Sequence, residues 1–110
     1  ARVNRKLSMT KSKEIAFESW RYNLKTKQLM NSNDNKFIDL PPKDQELLEL
    51  LLLKGNEIVS RDEIIAKIWG PSYDGTDRTV DNAIVRLRKI IGNNTIKTIR
   101  GQGYRLILKQ

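Results

Sequence analysis

The sequence predicts an α+β domain: a small antiparallel sheet first, three helices next, a β-hairpin last. Three observations predict it. Short alternating apolar runs separated by polar turns occupy residues 14–40. Three segments between Pro41 and Ile91 carry helix start and stop signals. Two further alternating runs, 95–100 and 104–108, flank Gly101-Gln102-Gly103.

Residues 1–13 are basic and weakly patterned, and read as a linker. The domain proper is expected over 14–110. Ile15, Phe17 and Ser19 alternate with Ala16, Glu18 and Trp20, the expected first strand. Tyr22-Asn23-Leu24 and Gln28-Leu29-Met30 follow, separated by the turn-like Lys25-Thr26-Lys27. The polar run Asn31 to Asn35 is a turn, and Lys36 to Leu40 a further strand. Phe17 and Trp20 are expected in the core.

Pro41-Pro42 ends that strand and permits a helix start. Asp44 and Glu46 lie where the helix dipole favours acids. Leu47, Leu48 and Leu50 to Leu53 surround this helix almost completely, which predicts a central position. Gly55 ends it. Ser60-Arg61-Asp62-Glu63 is a capping box, with Val59 and Ile64 as its staple. Ile64, Ile65, Ile68 and Trp69 form the stripe of the second helix, which Gly70-Pro71 stops. Ser72 to Gly75 is a loop, and Thr76 or Asp77 caps the third helix.

At about 100° per residue, Val80, Ala83, Ile84, Leu87, Ile90 and Ile91 form the back of the third helix. Arg78, Asn82, Val85, Arg86 and Lys89 form its front. Such a front suits a polar, anionic surface, although taken alone it also suits a solvated face. In the hairpin, Ile96, Thr98 and Arg100 share one side and Ile99 takes the other. If Ile99 packs inward, Thr98 and Arg100 are presented outward together.

Composition narrows the function. The 110 residues suffice for one domain with a single core. Lys and Arg number 21 against 13 Asp and Glu, a net charge of +8, which points to a polyanion: nucleic acid first, an anionic membrane second. Neither Cys nor His occurs, which removes thiol nucleophiles, imidazole bases and nearly every transition-metal site. No cluster of acids stands out as a paired site. No enzymatic activity and no cofactor are expected. The longest apolar run, Leu50 to Leu53, is too short to span a bilayer.

The last two helices and the hairpin can form a helix-turn-helix followed by a β wing, which lays the final helix in a DNA major groove. The basic residues fall where this arrangement needs them, on the helix front and the wing. At this point the chain closely resembles the C-terminal effector domain of OmpR/PhoB-family two-component response regulators. The segments that carry the resemblance are Val59 to Ile64, Ile68-Trp69-Gly70, Asp77 to Asp81, Ile84 to Ile90 and Ile96 to Leu106. The opening Ala1-Arg2-Val3 is similar to the end of the family's receiver helix.

The resemblance implies roles. Arg78 and the adjoining Thr79 match the recognition-helix entrance, where the arginine meets phosphate. Arg86 matches an arginine that enters the major groove, and Arg88 one that contacts backbone or supports the helix. Thr98, Arg100 and Tyr104 match wing positions that touch phosphate or the minor groove. Ser72, Tyr73 and Asp74 match a loop that can meet RNA polymerase. The family pattern further implies tandem self-association on direct-repeat sites, a cognate sensor kinase acting on an absent receiver, and a cytoplasmic location.

Pro41 stands where a capping Thr is usual, and Gln45 where an aromatic is common. Ala83 and Val85 replace polar or basic residues used by some members, so their operators cannot be borrowed. Asn82, Val85 and Arg86 are the candidates for base readout: Asn82 for adenine, Val85 for a thymine methyl, Arg86 through its fork. Arg88 has a second reading as an ion pair with Asp81, Lys89 as a solvated charge or loose phosphate contact, and Tyr104 as hairpin packing. Two rival functions use the same fold: a protein-interaction module, and a nonspecific nucleic-acid binder.

Overall fold

The computed structural model describes residues 14–70 and 77–108. They fall into two compact units that divide after Asp39. The first unit is an antiparallel meander of β1 (Glu14–Phe17), β2 (Trp20–Asn23), β3 (Gln28–Asn31) and β4 (Lys36–Ile38), in that spatial order. Phe17 pairs with Trp20, and Tyr22 with Leu29, which puts four buried side chains on one face.

Asparagines shape the turns. Asn23 Oδ1 accepts from Lys25 N and Thr26 N at 2.8 and 2.9 Å. Asn31 Oδ1 accepts from Asn33 N at 2.8 Å. The expected first strand, through Trp20, is too long. The chain reverses at Glu18-Ser19, with Glu18 at φ 51°, and Trp20 opens β2. The alternation survives because a two-residue turn keeps Phe17 and Trp20 cross-strand partners on one face.

The second unit holds α1 (Pro42–Lys54), α2 (Arg61–Ile64) with a π-helical turn (Ile65–Trp69), α3 (Asp77–Ile91), and a hairpin of β5 (Ile96–Ile99) and β6 (Gly103–Leu106). Pro41 occupies the N-cap of α1 without a side-chain cap, and Gly55 follows its last turn. Leu47, Leu48, Leu51 and Leu52 are buried, whereas Leu53 is 60% exposed. The helix is thus one-sided rather than surrounded. Its buried stripe starts one turn earlier, at Asp44, which is completely buried.

Ser60 Oγ accepts from Glu63 N at 3.1 Å, the first half of the expected capping box. The Glu63 carboxylate pairs with Lys54 Nζ at 3.0 Å. Both staple residues, Val59 and Ile64, are buried. After Ile64 the helix widens, and Gly70 N donates to Ile65 O at 2.9 Å. Lys43 Nζ reaches across from α1 to Ile68 O at 2.9 Å. Trp69, expected in the core, is half-buried.

α3 follows its expected pattern. Val80, Ala83, Ile84, Leu87 and Ile91 are buried, and Ile90 is half-buried. Each fully buried Leu or Ile contributes about 1.5–3 kcal/mol, enough to hold this face without help from the polar one. In the hairpin, the buried face is that of Ile96, Tyr104 and Leu106, not that of Ile99. Thr98 shares the inward face but is exposed near the strand end. Val59 adds a third strip of backbone, exchanging hydrogen bonds with Tyr104 at 2.8 and 3.0 Å. The hairpin is thereby tied to the segment that enters α2.

Candidate nucleic-acid interface

The front of α3 exposes Arg78, Asn82, Val85, Arg86 and Lys89. Their spacing of four, three, one and three residues keeps them on one stripe. Val85 is 47% exposed although apolar, and its neighbours on that stripe are polar. Thr79 is half-buried and has an interaction partner.

Arg86 has an anchor on another helix. Its Nε donates to Asp44 Oδ2 at 2.8 Å and its Nη2 to Asp44 Oδ1 at 2.9 Å. Asp44 is fully buried, while the Arg86 side chain is half exposed. The side-on edge of the guanidinium is thus committed to α1. Both Nη1 hydrogens and one on Nη2 remain at the outer end. The hydrogen bond to Asp44 outweighs partial desolvation and holds Arg86 above the ordinary arginine range. Expected as a helix-dipole acid, Asp44 does lie in the first turn of α1, and it is also the carboxylate that fixes Arg86. A signal existed: Asp44 stands at i−3 and i−4 to Leu47 and Leu48, on the apolar stripe of α1, where a lone acid needs a cation.

Arg88 does not pair with Asp81. Its Nε and Nη2 donate to Ile96 O at 3.2 and 2.9 Å, and Nη2 also to Thr98 Oγ1 at 2.8 Å. Arg88 therefore rivets α3 to β5, the support role open to it. Thr98 accepts from Arg88 and keeps its own hydroxyl hydrogen to donate.

Asp81 pairs with Arg61 at the start of α2, Nε to Oδ1 at 2.8 Å. Tyr104 donates its phenol hydrogen to the same Oδ1. The Tyr104 ring is buried, with the Arg61 and Arg88 guanidinium carbons 5.3 and 5.9 Å from its centroid. Its hydroxyl is bonded inside the fold, as the packing reading of Tyr104 expects. Burial raises the Asp81 carboxyl, but the bonds from Tyr104 and Arg61 outweigh it and leave Asp81 below the ordinary carboxylate range. Burial, then the bond to Asp81, raises the Tyr104 phenol.

The wing turn is exposed from Arg100 to Gln102. Gln102 N donates to Ile99 O at 2.9 Å, and Gly101 at φ 76° takes the turn position that needs positive φ. Across the ladder Lys97 faces Arg105, a like-charge pair on the outer side of the hairpin. Ser72, Tyr73 and Asp74 lie outside the described residues, as does the linker 1–13. Among the described residues, no helix is long and apolar enough to cross a membrane.

A meander, three helices, an exposed cationic helix front and a basic hairpin beside it define the class: a winged-helix DNA-binding domain. Comparison with known proteins gives the family. A family model described as transcriptional regulatory protein, C terminal, matches residues 34–106. The heme response regulator HssR of Staphylococcus epidermidis is 49% identical over 76 residues, 66% of this chain and 34% of that protein. The crystal structure of the Klebsiella pneumoniae RstA DNA-binding domain in complex with the RstA box matches with a TM-score of 0.74 at 34% identity, covering 86% of this chain and 97% of that one. The DNA-binding domain of Bacillus subtilis CssR matches with a TM-score of 0.74 at 35% identity, covering 81% and 100%. The chain belongs to the OmpR/PhoB family of response-regulator C-terminal domains. It spans about a third of the length of the curated relatives it matches.

Proposed function

We propose that this chain binds double-stranded DNA sequence-specifically, as the effector domain of a two-component transcription regulator without catalytic activity of its own. The observation that carries the reading is the exposed stripe of α3, which combines Arg78, Arg86 and Lys89 with an amide and an uncovered valine. On this front a major groove offers Val85 thymine methyl groups. Asn82 pairs with adenine, and Arg86 offers its outer end to a base or phosphate. Arg78, Arg100, Lys89 and the Thr98 hydroxyl take phosphates, with Arg88 holding Thr98 in place. The facing Lys97 and Arg105 repel one another until a polyanion neutralises them.

The larger protein is a cytoplasmic regulator whose receiver is phosphorylated by a sensor kinase. Two copies occupy direct repeats in tandem, and Ser72, Tyr73 and Asp74 meet RNA polymerase. RstA with its box is the relative that supports DNA as the ligand.

Selection of genomic fragments by the purified chain tests the proposal. Enrichment of one motif, with an advantage over random DNA that persists as salt is raised, is the expected result. Recovery of fragments without any shared motif favours the nonspecific binder. Retention of an acidic protein but no DNA favours the protein-interaction module.

A further inference from the structure

We propose that Asp44 is a positioning residue for DNA recognition: by gripping the Nε–Nη2 edge of Arg86, it aims the Nη1–Nη2 end outward and sets base preference at one position of the site. This rests on the reading that the front of α3 faces DNA. Asp44 itself touches no DNA, being fully buried on α1. It acts through two hydrogen bonds of 2.8 and 2.9 Å onto a guanidinium that is half in solvent.

The geometry divides the arginine in two. A guanidinium has two edges able to form paired bonds: the side-on edge of Nε and Nη2, and the end-on edge of Nη1 and Nη2. The first is closed on Asp44. The second is left complete, one hydrogen from each terminal nitrogen, and a guanine O6 and N7 accept such a pair. An unanchored arginine on a helix surface samples many rotamers and loses that freedom on binding. Held on Asp44, Arg86 has already lost it. The carboxylate also partly neutralises Arg86, so the side chain acts less as a loose cation for any phosphate and more as an oriented donor pair. Specificity rises relative to nonspecific attraction on both counts.

The buried position makes the grip firm. An aspartate on a surface would exchange its arginine for water, whereas one under the helix has no solvent to turn to. Its short side chain fixes the guanidinium close to the α1–α3 contact, so the reach of Arg86 is set by the packing of two helices.

The test compares wild type, Asp44→Asn, Arg86→Ala and the double variant, each by fragment selection and by affinity for the selected site and for random DNA. Asn keeps the size of Asp but removes its charge and replaces one of the two acceptor oxygens with an amide donor. The expected result is a fall of about tenfold in the ratio of specific to random affinity for Asp44→Asn, within what one bidentate base contact discriminates. Preference should relax at the position that Arg86→Ala also relaxes. In the Arg86→Ala background, Asp44→Asn should change the ratio no further. A merely structural role lowers the melting temperature and leaves the motif of the folded protein intact, and that result overturns the proposal. So does additivity of the two substitutions in the ratio.

Should Asp44→Asn fail to fold, the Arg86 Nε–H resonance of the wild type is followed by NMR, without and with the selected site. Slow exchange with solvent in both states supports the grip, and its loss on DNA overturns it. A wild type that selects no motif overturns the DNA reading and this inference with it. A wild type that selects one, alongside an Asp44→Asn variant with the same motif and the same ratio, overturns this inference alone.

Discussion

Gly103 lies so close to Val59 that a Cβ on it would stand 2.1 Å from the Val59 carbonyl oxygen. The same glycine has φ 148°. The contact is what lets Tyr104 exchange backbone hydrogen bonds with Val59 and dock the wing against the start of α2. Gly103→Ala should therefore destabilise the chain by about 3 kcal/mol or more, since backbone must move on one side or the other. Urea denaturation checks this. Gly101→Ala, where nothing stands within 4 Å, should cost less, about 1 kcal/mol, from its φ of 76° alone.

The Tyr104–Asp81 bond links wing stability to pH at both ends of the scale. Asp81 is lowered in the fold, so its contribution is present above the unfolded carboxylate value of about 4 and is lost as pH falls through the folded value. Tyr104 is raised, so its contribution is present below about 10 and is lost as pH rises through its folded value. The difference in unfolding free energy between wild type and Tyr104→Phe should thus be level from about pH 5 to 9 and shrink on either side. Its plateau should be about 1 kcal/mol, small for a bond to a carboxylate because Asp81 is 40% exposed.

Arg86→Ala should weaken folding as well as binding. It strands a carboxylate with no exposure on α1. Removing one member of a buried pair costs about 3–5 kcal/mol. Here about 2 is expected, because water can enter where the half-exposed arginine stood. Chemical denaturation measures it, and Arg86→Ala with Asp44→Leu should recover part of the loss.

Asn82→Ala and Arg100→Ala should separate the two kinds of DNA contact. The first should relax one base position at about 1–3 kcal/mol. The second should weaken specific and random DNA alike and lower the magnitude of the salt slope by about one. Fluorescence anisotropy titrations at several salt concentrations read both. Equal behaviour of the two variants would sink this division of labour.

Ser60→Ala should cost about 1 kcal/mol through the lost bond to Glu63 N, with DNA binding of the folded protein unchanged. Thermal melting together with a titration on the selected site separates the two effects.

Much of this was legible along the chain because it depends on local periodicity and end signals. The apolar back of α3, the Ser60 cap, the Asn-shaped turns and the Gly101 turn are each decided within a few residues. The polar front of α3 was legible for the same reason, since about 100° per residue separates it from the buried face. Local signals failed where a two-residue turn left the alternation unbroken, at Glu18-Ser19, and where a run of leucines hid the one-sidedness of α1.

By itself, the sequence determined the order of elements, the faces of the last helix and the basic wing, all of them short-range consequences of residue type. Only the tertiary structure decided which charged groups are spent inside the fold. Arg86 reaches Asp44 across 42 positions, Tyr104 reaches Asp81 across 23, and Arg61 reaches Asp81 across 20. A carboxylate binds whichever donor packing brings within about 3 Å, and no local pattern encodes that distance. The front of α3 could thus be found from the chain, but the anchoring of its arginine waited on how α1 and α3 meet.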